Sequence, residues 1–340
     1  MKYHLSNRAV AALFTLFFAC SAGAVDDSAA ADTAPGYGVL AAGVAHERLF
    51  AIDFDGERGM AVGDLGRVMR TEDGGSTWER EEPPTELALL GIALQGDRAI
   101  AVGQQGLILV SADGGGWRKI ESGTPERLLN VDINSEGLAY IVGAFGTVLR
   151  SRDGGESWHS AKPDWGALIT EDGGMSGAQG NPTIAAVQVL ENNTVLLGGE
   201  LSYIMRSPDA GEHWELVYDD SEIPSGQVQP TVNALHVRTD GVGFAVGQSG
   251  LMLKTLDQGR SWQRLDTPVD ANLLDIVSGT DGRVVGVGMR ATLSSDDDGE
   301  TWEVLDSLDL ALNWYSEIAK SPTGVPIAVG YGAQIIKLPK

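Results

Sequence analysis

The sequence predicts an all-β protein: a seven-bladed β-propeller of four-stranded blades, closed by an N-terminal strand that completes the last blade. Three observations carry this reading. A unit of about forty residues recurs seven times, each unit holds four short β-like segments, and the last unit lacks one segment while a spare one precedes the first. The 45 glycines against 6% aromatic residues fit a turn-rich β protein and disfavour a helical bundle.

The repeat is anchored on Ala-Val-Gly at Ala61, Ala101, Ala245 and Ala328, with Ile-Val-Gly at Ile141 and degenerate copies beginning at Leu197 and Gly286. The seven final glycines are spaced by 40, 40, 56, 48, 41 and 42 residues, so two units carry insertions. An apolar residue 11 or 12 positions before each glycine marks the first strand: Ile52, Ile92, Val131, Val187, Leu235, Ile276 and Ile318. The Ala-Val-Gly run is the second strand, and runs such as Arg67 to Arg70 and Thr147 to Arg150 are the third. In six units a turn ending in tryptophan leads to the fourth. Each unit buries its apolar faces only against its neighbours, so an open stack would leave two raw edges. Trp314 to Leu338 supplies three strands, and Tyr37 to Val44 is expected to supply the fourth. The domain plan is a signal peptide over 1–24, a flexible N-terminal segment over 25–35, and a single propeller over 36–340.

The tryptophan turns read Ser/Thr-x-Asp-x-Gly-x-x-Trp and place Asp73, Asp113, Asp153, Asp209, Asp257 and Asp297 in equivalent positions, the second copy being one residue short. This is an Asp box. The aspartate accepts hydrogen bonds from its own turn, glycine permits positive φ, and the indole packs on the blade. A structural role is expected, because single carboxylates on separate blades do not converge, whereas calcium wants six to eight oxygens around one point. Asp296-Asp297-Asp298 reads as a solvated turn. His46, His159, His213 and His236 are scattered over the units, so no metal site and no cofactor is expected.

Lys2 and Arg8 precede the apolar run Ala9 to Ala19, which ends near Ala22-Gly23-Ala24, the order of a secretory signal. The run is shorter than the roughly 20 residues of a membrane span. The only cysteine, Cys20, lies inside it, so the mature chain would have neither disulfide nor thiol chemistry. Export, in a bacterium to the periplasm, is the expectation. Phe17-Phe18-Ala19-Cys20 also resembles a lipoprotein box, and the Ala/Asp/Ser-rich stretch from Ser21 to Pro35 would then tether a lipid-anchored Cys20, although phenylalanine stands where leucine is usual. Losing Lys2 and Arg8 and no acid takes the net charge from −23 to −25. Such a surface repels phosphate backbones and anionic lipid heads, which argues against nucleic-acid binding.

The units resemble those of the photosystem II stability and assembly factor-like family, whose blades carry Ala-Val-Gly-x-x-Gly, an apolar-apolar-Arg-Ser/Thr run and Asp-Gly-Gly-x-Thr-Trp. Ala61 to Trp78, Ile141 to Trp158 and Ala245 to Trp262 match best. The resemblance implies an exported, non-enzymatic accessory protein, expected as a monomer, that binds a membrane protein complex or transporter through one propeller face. The alternative is a sialidase-like or other glycoside hydrolase, since such enzymes share the Asp box. Their Arg-Ile-Pro signature is absent, the length allows one propeller only, and Tyr315 with Glu317 is the nearest nucleophile-like pair, expected on one face of a strand.

Topology places the second-to-third turns and the links between blades on one face and the Asp boxes on the other. The varied turns and the insertions, His159 to Pro182 and Val217 to Pro230, make the first face the candidate partner surface. Its candidate contacts are Trp165, Phe145, Arg290, Tyr331, Asp64 and Gln104, with Leu201 and Ser249 completing the ring. Arg70, Arg150, Arg206, Lys254 and Lys337 recur at the end of the third strand, either as a stripe for an acidic partner or as strand ends reaching solvent.

Overall fold

The computed structural model describes residues 37–112, 116–168, 181–220, 228–305 and 313–339. They form seven four-stranded antiparallel sheets, six of them running in chain order from an inner to an outer strand and the seventh combining three C-terminal strands with the N-terminal one. Blade 1 shows the plan with Leu49–Asp55, Arg58–Gly63, Val68–Thr71 and Glu79–Glu81. The second strand is buried along its length, as in Ala139–Gly143 or Val284–Gly288, because blades cover both of its faces. The outermost strand is less buried than the others, and in blades 1 and 3 it is polar as well, as Glu79–Glu81 and His159–Ser160 are.

The core is divided into seven wedges, each filled by two adjacent blades. Met60, Val62 and Val68 of blade 1 interlock with Leu89, Ile92, Leu109 and Trp117 of blade 2. The last wedge joins Ile327, Val329 and Ile335 of blade 7 to Leu49, Ile52 and Ala61 of blade 1. The ring closes as expected. Gly38–Ala41 pairs with Ile335–Lys337 in the register Gly38 to Lys337, Val39 to Ile336 and Ala41 to Ile335, so the N-terminal strand is the outer strand of blade 7.

The recurring glycine has a steric cause. A Cβ on Gly63 would stand 2.0 Å from the Arg48 carbonyl oxygen, and one on Gly103 2.1 Å from that of Ala88. Only glycine lets the second strand approach the entry to the first this closely. The seven inner strands share a second irregularity, a register shift after their first residue, as between Leu49 and Ala51 or Tyr315 and Glu317.

Among the described residues no helix is long and apolar enough to cross a membrane. The signal segment, Cys20, the flexible segment over 25–35 and Asp113 lie outside the described residues.

Candidate interaction face and central channel

The turn after the second strand has one design in most blades. In Asp64–Gly66, Gln104–Gly106, Ala144–Gly146, Glu200–Ser202 and Gln248–Gly250, the first N–H donates to the carbonyl that precedes the inner strand, as Asp64 does to Arg48 at 3.1 Å. The first side chain also holds that entry segment. Gln104 Oε1 accepts from the Ala88 N–H at 3.3 Å, Gln248 Oε1 from Thr231 at 3.2 Å and Glu200 Oε2 from Thr183 at 2.8 Å, while Asp64 stands 3.9 Å from Arg48. Asp64 and Gln104 are therefore half-buried staples within their own blades.

The second residue of each turn is the tip. It adopts a left-handed conformation, with φ of 54° at Leu65, 57° at Gln105, 54° at Phe145, 66° at Leu201, 54° at Ser249 and 59° at Arg290. Side chains rarely take this conformation, at a cost of roughly 1–2 kcal/mol each, and here it turns them away from the blade. Leu65 is 76% exposed and Phe145 69%. Met289 and Tyr331, at the first turn position of blades 6 and 7, are also exposed. Sequence reading missed Leu65 and Met289. For Leu65 the signal is the register of Ala-Val-Gly-x-x-Gly, in which the second x is the tip; Asp64 and Gln104 stand one residue before it.

Trp165 must be removed from the candidate contacts. The link that carries it turns back as a short helix, Trp165–Leu168, and drops the indole into the wedge between blades 3 and 4 beside Val142, Val148 and Ile184, where it is 6% exposed. A side chain at Gly146 would collide with its Nε1, so the glycine makes room for it.

On the opposite face the described Asp boxes repeat one geometry. In blade 1, Asp73 Oδ1 accepts from the Thr77 N–H at 2.8 Å and from Thr71 Oγ1 at 2.7 Å, and Oδ2 accepts from Thr77 Oγ1 at 2.6 Å. The hydroxyl of Thr71 in turn accepts from the Gly75 N–H. The bonds to Thr77 and Thr71 hold Asp73 down at about 2, and equivalent ones hold Asp297 there. At Asp153 burial pushes upward, but bonds from Ser157 and Ser151 outweigh it and bring the carboxyl to about 2. Asp257 is lowered in the same way. In blade 4 His213 replaces the hydroxyl residue, its Nδ1 lying 2.6 Å from Asp209 Oδ2.

The basic residues at the third-strand ends are engaged with the next blade. Arg150 donates to the Ala210 carbonyl and to Glu212, Arg206 reaches the Gln258 carbonyl, and Lys254 pairs with Glu300 at 2.9 Å. Arg70 pairs with Glu72 of its own turn. Three of these cations thus tie adjacent blades, and only Lys337 ends exposed.

A channel of about 440 Å³ runs down the axis between the inner strands. Its polar side chains bridge blades. Asp53 Oδ2 accepts from the Leu94 N–H at 2.7 Å, Asp132 Oδ2 from Val189 at 2.6 Å, Gln188 Oε1 from Val237 at 2.7 Å, His236 Nδ1 from Ser278 at 3.2 Å and Asp275 Oδ2 from Ile318 at 2.8 Å. Glu317 accepts from Ile52 and completes the circuit from blade 7 to blade 1. At the remaining junction, between blades 2 and 3, the corresponding residues are Gly91 and Ala93 and offer no acceptor. Burial raises Asp53 and Asp132 to about 7 against the lowering effect of their backbone bonds. Burial also raises Asp275, and burial followed by repulsion from Asp275 and Asp53 raises Glu317. His236 is pushed down to about 4 by burial, then by Lys320 and Arg238.

Tyr315 and Glu317 do not share a face. The register shift between them sends Tyr315 into the wedge between blades 6 and 7, with its hydroxyl on Gln334 at 3.2 Å, and leaves Glu317 lining the channel. The channel lining holds Lys320 but no arginine among the described residues.

Residues 41–121 match the family described as Photosynthesis system II assembly factor YCF48. No curated protein matches the chain. Among solved structures, YCF48 from Cyanidioschyzon merolae aligns with a TM-score of 0.70 at 20% identity, covering 89% of this chain and 98% of that one. A structure described as YCF48 bound to D1 peptide aligns with a TM-score of 0.65 at 19% identity, covering 91% and 96%. A streptogramin B lyase aligns as well, with a TM-score of 0.69 at 12% identity over 89% and 97%, so likeness of fold does not select a function. The resemblance carried by the repeats is borne out: the chain is similar in sequence to the YCF48 family of photosystem II assembly factors over its first two blades, and it shares the propeller fold of the solved YCF48 proteins throughout.

Proposed function

We propose that this chain is a non-enzymatic accessory or assembly factor that binds a segment of a membrane protein complex through the face bearing the second-to-third turns. The observation that carries the reading is the set of apolar tips on that face, Leu65, Phe145, Met289 and Tyr331, held outward by backbone that favours glycine or by the turn's first position. Exposed apolar side chains grouped on one face mark interaction surfaces, and aromatic residues and methionine are enriched in them. The similarity to YCF48, and the solved complex of a YCF48 with a D1 peptide, support a protein segment as the ligand. Export to a bacterial periplasm, soluble or anchored through Cys20, is the compartment that the N-terminal residues favour.

A photo-crosslinking side chain placed at Leu65 should capture a membrane protein from isolated envelopes, whereas the same group at Glu156 on the Asp-box face should not. Capture from Glu156 alone would reverse the assignment of faces.

A further inference from the structure

Of the methionines among the described residues, Met60, Met205 and Met252 are buried, Met69 is half-buried against the core, and Met289 is 49% exposed. Met289 takes the first position of the blade 6 turn, on the face that carries Leu65, Phe145 and Tyr331. Its backbone is fixed there, because its N–H donates to the Asn272 carbonyl at 2.9 Å and it bridges Trp314. An exposed thioether is open to oxidation to the sulfoxide, which turns a flexible apolar side chain into a polar one.

Other blades show what a polar side chain does at this position. Gln104, Glu200 and Gln248 fold back and accept from the N–H groups of Ala88, Thr183 and Thr231, each the residue just before its inner strand. Asn272 is the equivalent residue of blade 6. A thioether sulfur is a weak acceptor. The Asn272 amide nitrogen accordingly stands 3.9 Å from Met289 Sδ, and its Oδ1 accepts from the Ser249 N–H at 3.0 Å, which fixes the nitrogen toward the sulfur. A sulfoxide puts a strong acceptor oxygen where glutamine carries its carbonyl, so oxidised Met289 meets a donor already aimed at it.

We propose that Met289 is a reversible oxidation site whose sulfoxide withdraws an apolar contact from the partner face. A hydroperoxide transfers one oxygen to the sulfur: the O–O bond breaks, an S–O bond forms, the sulfur gives up two electrons, and the second peroxide oxygen leaves as water or alcohol. The sulfoxide then folds onto Asn272 as the glutamines fold onto their own entry segments, and the face loses an apolar side chain beside Trp314, whose carbonyl the Tyr331 N–H holds. A sulfoxide reductase reverses the step at the expense of two thiols, which leave as a disulfide while the oxygen leaves as water. This rests on the face assigned under the proposed function and gives that face a means of regulation.

Purified full chain is treated with hydrogen peroxide and digested for mass spectrometry. Met289 should gain one oxygen at least about tenfold faster than Met60, Met205 and Met252, at an unchanged melting temperature. Capture from isolated envelopes by the crosslinking group at Leu65 is then read on the same material. Oxidised protein should capture several-fold less, sulfoxide reductase with dithiothreitol should restore the capture, and untreated Met289→Gln should behave like the oxidised protein. Met289→Leu should capture to the same extent before and after peroxide. Oxidation of Met289 no faster than that of the buried methionines, capture unchanged by oxidation, or a peroxide effect that persists in Met289→Leu overturns the switch and leaves the face standing. If untreated protein captures nothing through Leu65, the face falls and the switch falls with it.

Discussion

At the level of single residues, the Asp box is a hydrogen-bond knot whose buried member is the hydroxyl. Ser151 is 1% exposed and accepts the buried Gly155 N–H at 2.8 Å, whereas the Ser157 N–H held by Asp153 is exposed. Ser151→Ala should therefore cost about 1–3 kcal/mol by orphaning a buried donor, and Asp153→Ala less, because water can replace the carboxylate at Ser157. Chemical denaturation of the two variants decides the order; a larger loss at Asp153 would contradict it. The channel acids make a second prediction. Asp53 and Asp132 are raised to about 7 when folded, so they bind protons that the unfolded chain has released, and their contribution to stability is lost as pH rises from about 4 through 7. His236, lowered to about 4, works the other way as pH falls below its ordinary value near 6.5. Asp275 and Glu317 add to the first effect, so melting temperature should be higher near pH 5.5 than near pH 8.5, and Asp53→Asn should flatten the profile. A flat wild-type profile would contradict the raised values. None of this belt was legible in sequence, because Asp53, Gln188 and His236 meet backbone of a different blade some forty residues away.

Among the elements, the strands were legible because each blade repeats the same apolar pattern, and the closing strand because the seventh unit was visibly incomplete. The register shift in every inner strand was not legible. Alternation along the strand puts Tyr315 and Glu317 on one face, and a single extra residue separates them. Trp165 misled for a related reason, since a tryptophan in an insertion looks like an exposed anchor until a four-residue helix folds it into the wedge. Deleting residues 36–46 should lower the melting temperature of the whole propeller, because it strips the outer strand from Ile335–Lys337 and opens one edge of blade 7. The protein should then associate through that edge, measurable by light scattering. A truncation that melts like the full chain and stays monodisperse would show that closure does not depend on this strand.

For the molecule as a whole, the two faces differ in kind. The Asp-box face is uniform and its cations are spent on holding neighbouring blades, as Arg150 and Lys254 show. The opposite face varies from blade to blade and exposes Leu65, Phe145, Met289 and Tyr331. The sequence reading put Phe145, Arg290 and Tyr331 at the second-to-third turns, where the structure exposes them, but the channel was not legible because its lining comes from inner strands far apart in the chain. The account is tested most directly by capture of membrane proteins from isolated envelopes with wild-type protein and with Phe145→Ala combined with Tyr331→Ala. Wild-type protein should recover one membrane complex, and the double variant, melting at the same temperature, should recover it several-fold less. Equal recovery by the two proteins would contradict the face assignment, and wild-type protein that recovers no membrane complex but hydrolyses glycosides would contradict the function.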